Sequence, residues 1–95
     1  MKKNKITNSS SPHDLTATFP AEKRIELKQI QARLRECIKN SRYTQKEIAK
    51  MLNVSEQTIS KYMRCNIFPA LDTFTNLCII LDVKSDYILC LCDDY

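Results

Sequence analysis

Five residues on one stretch of this chain carry side chains suited to reading a polyanion through hydrogen bonds: Glu56, Gln57, Ser60, Lys61 and Arg64. Their spacing matters as much as their types. On a helix, steps of three and four residues bring positions 56, 57, 60, 61 and 64 to one side. Ile59 and Tyr62, three apart, fall on the other side and turn inward. Long or polar groups arranged in this way reach base edges and phosphates in a major groove.

Such a face needs elements that hold it. The stretch from Thr44 to Arg64, TQKEIAKMLNVSEQTISKYMR, reads as helix, tight turn, helix. Thr44 caps the first helix, and Glu47 three residues later completes a capping box. Ile48, Ala49 and Leu52 share one face. Two helices crossing steeply need a small residue where they touch, and Ala49 sits there; ten residues on, Ile59 returns from the second helix. Asn53 breaks the pattern, and after Gly it best tolerates the left-handed backbone of a helix end. Val54 follows as a buried turn residue, and Ser55 caps the second helix.

The rest of the chain supplies a core. Residues 1–20 lack helical periodicity and read as a disordered basic tail. Its Lys2, Lys3 and Lys5 are either plain solvated charges or an arm that adds phosphate contacts. Ala21 to Asn40 reads as the first helix, started by Pro20, with Leu27, Ile30, Leu34, Cys37 and Ile38 at helical spacing. Tyr43 is placed to staple against Ile48. After Arg64, CNIFPA is a connector, and Pro69 precedes a fourth helix. The apolar stripe of that helix is Leu71, Phe74, Leu77, Cys78 and Leu81. Asp82 and Val83 end it, and Ser85 to Leu91 forms a short fifth helix. No strand pattern or internal repeat appears, so the expected fold is an all-α single domain of five helices.

Composition narrows the function. The net charge of +4 is uneven: residues 1–64 hold 14 Lys/Arg against 6 Asp/Glu, and residues 65–95 hold 1 against 5. A basic part containing the two-helix stretch suggests nucleic acid first and a membrane surface a distant second. The bland alternative is an unevenly charged, solvated surface. The chain has no glycine, which argues against phosphate-cradling loops. No apolar run approaches the roughly 20 residues of a membrane span, and the N-terminal lysines lack the apolar core of a signal peptide. Five cysteines without a CxxC pair suit a reducing cytoplasm. Cys37 and Cys78 fall on apolar helical faces; Cys90 and Cys92, with Cys78, are the thinkable soft-metal set. The single His13 lies in the tail, so neither a Cys/His metal site nor a Ser/His/Asp triad assembles. No catalytic residue, metal ligand, cofactor or small-molecule substrate is assigned, and no enzyme activity is expected.

The same residues carry a resemblance. TQKEIAKMLNVSEQTISKY, then Pro69, then LDTFTNLCIILDVKSDYIL resembles the helix-turn-helix domain of phage repressors and Cro, the xenobiotic-response-element type, over roughly residues 24–92. The resemblance implies a five-helix, lambda-repressor-like DNA-binding domain with its motif at 45–64. In that family the third helix enters the major groove, and a dimer reads a two-fold operator. It implies that Gln45 opens the second helix against a phosphate and that Ser55 caps the recognition helix. It places Glu56, Gln57 and Lys61 at bases, where they would face cytosine, adenine and guanine respectively. Ser60 becomes a close contact, and Arg64 and Asn66 become phosphate anchors.

Several positions depart from the family. Asn53, Cys65 and Cys90 stand where glycine is common, and Met63 where Glu is common. Ala70 and Lys84 stand where helix caps are common. The expected function is a cytoplasmic, nucleoid-associated, sequence-specific regulator of transcription. It would bind double-stranded DNA as a homodimer and act as a repressor. The alternative is a helical protein-interaction module, antitoxin-like or serving a mobile element, with weak or lost DNA binding. An outward face bearing Gln57, Lys61 and Arg64 favours DNA.

Overall fold

The computed structural model describes Pro20 and residues 24–93. Apart from Pro20, the expected basic tail lies outside the described residues. Those described form five helices and no strand: α1 (Leu27–Lys39), α2 (Gln45–Leu52), α3 (Glu56–Met63), α4 (Leu71–Leu81) and α5 (Ser85–Ile88). The fold is all-α and of the helix-turn-helix kind.

Local chemistry sets most boundaries. Thr44 Oγ1 accepts from the Glu47 amide at 3.1 Å, and Glu47 Oε1 accepts from the Thr44 amide at 2.8 Å. The expected capping box is therefore complete at the start of α2. Ser55 Oγ accepts from the Thr58 amide at 3.1 Å and starts α3. The first helix begins at Leu27, with Arg24 to Glu26 outside it, and so is shorter than expected. Glu26 is extended, and its amide donates to Gln29 Oε1 at 2.7 Å. That local bond starts the helix where Pro20 was expected to. No side chain caps α4 at Ala70 or α5 at Lys84.

Four helices end in the same way. Asn53, Cys65, Asp82 and Cys90 all have positive φ, between 54° and 65°. Each is followed by an amide that donates back five residues: Val54 to the Ala49 carbonyl, Asn66 to Lys61, Val83 to Cys78 and Leu91 to Asp86. These are Schellman closures built without glycine. The last one shortens α5 to Ser85–Ile88, where the sequence had suggested a helix to Leu91.

The core draws on every helix. Leu34, Cys37 and Ile38 come from α1, Ile48 and Ala49 from α2, and Ile59 and Tyr62 from α3. Phe74, Leu77 and Cys78 come from α4, and Ile88 from α5. Full burial of a side chain such as Ile48 or Ile59 contributes about 1.5–3 kcal/mol. Two stripe residues do not join: Leu27 is 55% exposed and Leu71 is 80% exposed. Both are the first residue of their helix, where the stripe runs past the rim of a small core. Val54 is half-buried rather than buried.

Two links close the domain around the motif. Phe68 and Phe74 pack with ring centroids 5.4 Å apart and Pro69 is buried, fixing the connector into α4. Arg33 of α1 clamps the C-terminal segment. Its Nη1 donates to the carbonyls of Tyr87 and Cys92 at 2.8 and 2.7 Å, and its Nη2 pairs with Asp93 at 3.0 Å. The same guanidinium lies 4.5 Å from the Tyr87 ring centroid. The Asp93 bond raises its pKa further above the ordinary arginine value.

Candidate nucleic-acid interface

The site is built on α3 and on the start of α2. These two helices make the most extensive packing of any pair in the fold, and α1 buttresses α3 from behind. Ile59, wholly buried, and Tyr62 fix the rotation of α3 about its axis. Burial also raises the Tyr62 hydroxyl pKa, so that group stays neutral.

With the inner face fixed, the outer face follows. Glu56, Gln57, Lys61 and Arg64 are exposed, and Ser60 is half-buried between them. Ser55 and Asn66, at the two ends, are exposed. The five helix residues thus share one surface, as their spacing required. Gln45 is the first residue of α2 and is exposed. In that first turn the Glu47 and Ile48 amides are taken by Thr44 Oγ1 and the Thr44 carbonyl. The earlier amides of the turn point along the helix axis, an arrangement that favours an anion.

Two of the predicted residues are engaged with each other. Arg64 Nη1 donates to Ser60 Oγ at 2.8 Å, one helical turn away. The bond holds the guanidinium along the helix and leaves its other N–H groups outward. Ser55 Oγ also lies 3.0 Å from Thr58 Oγ1. Ser55 is thus first a structural cap, and Thr58 is a neighbour that the pattern of outward residues did not single out.

The charge arrangement suits the same face. Lys46, Lys50 and Lys61 are exposed. The ion pairs Lys28–Glu26 at 3.5 Å and Arg33–Asp93 at 3.0 Å do not engage these lysines. Glu47 and Glu56 lie in the first turns of their helices, where they complement the helix dipoles.

The cysteines are not drawn into this site as a set. Cys37 and Cys78 are buried, and burial pushes both thiols up in pKa, so they sit in the core as neutral apolar groups. Among the described residues no three His, Cys, Asp or Glu side chains gather as a metal site would require. Within the same residues no helix is long and apolar enough to cross a membrane.

A family model described as "Helix-turn-helix" matches residues 34–88, which spans α1 from its middle through α5. The chain belongs to the helix-turn-helix family, in its phage-repressor and Cro type. Among curated proteins, the HTH-type transcriptional regulator ImmR of Bacillus subtilis (strain 168) is 39% identical over 57 residues. That match covers 60% of this chain and 45% of the regulator, so this helix-turn-helix chain aligns with less than half of its relative.

One residue that reaches the site from α1 escaped the sequence pattern. Gln31 of α1 donates from Nε2 to the Cys65 carbonyl, 3.3 Å away at the end of α3. No periodicity or motif links positions so far apart in the chain.

Proposed function

We propose that this chain is a sequence-specific DNA-binding regulator of transcription. It occupies a two-fold operator as a homodimer, lays α3 in the major groove and represses by occupancy. The observation that carries the reading is the outer face of α3, where Glu56, Gln57, Lys61 and Arg64 are exposed opposite buried Ile59 and Tyr62. The relative's name, a helix-turn-helix transcriptional regulator, supports the same class.

The assignments follow groove chemistry. Gln57 pairs with adenine, Lys61 with guanine O6 and N7, and Glu56 accepts from cytosine N4. Gln45 and Ser55 meet the backbone near the two helix starts, and Ser60 packs close to the duplex. Arg64 and Asn66 anchor phosphates beyond α3. Residues 24–92 form the DNA-binding domain, and its work is recognition rather than catalysis, in the cytoplasm at the nucleoid. A dimer places its half-sites about 34 Å apart, or a multiple of that, as in other helix-turn-helix dimers. Exposed Ile79 of α4 and Leu91 beyond α5 offer apolar area for the second copy.

Selection of binding sites from a random duplex pool tests the reading. An enriched two-fold motif with that spacing is expected. Failure to enrich any sequence, with the chain folded, would return the protein to the interaction-module class.

A further inference from the structure

The end of α3 is fastened from outside the motif. Four of the residues assigned to DNA hang from one turn there. The Arg64 amide donates to the Ser60 carbonyl at 2.9 Å, Cys65 to Tyr62 at 3.1 Å and Asn66 to Lys61 at 3.0 Å. Arg64 Nη1 also holds Ser60 Oγ. The turn pivots on Cys65, whose φ of 59° is costly for a residue with a Cβ. Rotation of the peptide after Cys65 would release the Asn66 amide, redirect Asn66 and fray the last turn of α3, which carries Arg64.

The carbonyl of that peptide is the one that accepts from Gln31 Nε2, at 3.3 Å in a part-buried setting. The bond spans 34 positions and joins α1, the helix that packs behind α3, to the far end of the recognition surface. An amide N–H fixed on this oxygen sets the plane of the peptide and hence the direction of Asn66.

We infer that Gln31 is a positioning residue for DNA backbone anchoring. It touches no DNA itself. It holds the left-handed end of α3 in the orientation from which Arg64 and Asn66 address phosphates. The inference rests on the DNA-binding reading above.

The test compares the full chain with Gln31→Leu, which keeps the stem and removes the donor. Binding to a random-sequence duplex is measured across a salt series, alongside amide exchange of Asn66. For Gln31→Leu we expect affinity to fall about three- to tenfold, the scale of one net hydrogen bond. The slope of log affinity against log salt should lose about one charged phosphate contact, that of Arg64, since Asn66 carries no charge. Asn66 should exchange faster. The slope counts contacts made by folded protein, so simple destabilisation does not move it. Faster Asn66 exchange with a wild-type slope overturns the role of Gln31 alone. A wild-type chain that binds no duplex overturns the DNA reading, and the phosphate role with it.

Discussion

The motif helices and the helices that follow them begin differently and end alike. α2 and α3 each start on a side-chain cap, Thr44 with Glu47 and then Ser55. α4 and α5 start on Ala70 and Lys84, with no side-chain cap. Yet both pairs end on the same left-handed closure, one at Asn or Asp and one at Cys: Asn53 and Cys65, then Asp82 and Cys90. The difference at the starts follows from what each pair must do. On the proposed reading, α3 needs its first turn fixed to the residue, because its outward groups must meet a groove. α4 presents Phe74, Leu77 and Cys78 to the core, and packing places it without a cap.

Removing the packing that both pairs share should have the largest effect. Ile59 is wholly buried at the crossing of α2 and α3, and Leu77 is as deeply buried on α4. Ile59→Ala and Leu77→Ala should each cost about 2–5 kcal/mol in chemical denaturation. If the motif stood on its caps, Ile59→Ala would be the milder of the two. A loss under about 1 kcal/mol for Ile59→Ala would show that the helix pair does not depend on this contact.

The next effect separates recognition from anchoring on α3. Lys61→Ala should reduce discrimination between selected and random duplex by about 1–3 kcal/mol. Arg64→Ala should weaken both alike and lower the salt slope by about one. If both variants bind selected and random DNA as the wild type does, the outward face of α3 is not the reading surface.

The caps themselves come third. Ser55→Ala should cost about 1 kcal/mol, while Ala70→Ser should add a similar amount by supplying the cap α4 lacks. Thermal unfolding of the two variants measures the contrast directly. A neutral Ala70→Ser would mean that packing already holds the α4 start as firmly as a cap would.

What the sequence displayed followed the range of each interaction. Thr44, Glu47 and Ser55 were legible because a cap acts across three residues. Ile48, Ala49, Ile59 and Tyr62 were legible because periodicity reports the inner face. Leu27 and Leu71 continue the same periodic stripes, but periodicity carries no information about where a small core stops. The start of α1 at Leu27 depended on a bond between Glu26 and Gln29 that no standard cap residue signals. The outward positions 56, 57, 61 and 64 followed from the buried ones by geometry. The bonds of Arg64 to Ser60 and of Gln31 to Cys65 did not follow, because they depend on rotamers and on a helix distant in sequence.

The smallest expected effect concerns the ends that both pairs share. A residue with a Cβ in the left-handed region pays a steric cost of roughly 1 kcal/mol, and Asn and Asp soften it through local hydrogen bonding. Glycine removes that cost and adds entropy to the unfolded chain, so the net gain is smaller. Cys65→Gly and Cys90→Gly should therefore stabilise by a few tenths to about 1 kcal/mol. Asn53→Gly and Asp82→Gly should gain less, because they start from αL-tolerant residues. Urea midpoints of the four variants give the ranking, with the cysteine sites ahead in both helix pairs. Equal gains at all four would mean that side-chain type does not set the cost of these turns. A loss at Cys65 alone would mean that its Cβ or thiol makes packing contacts worth more than the strain it carries.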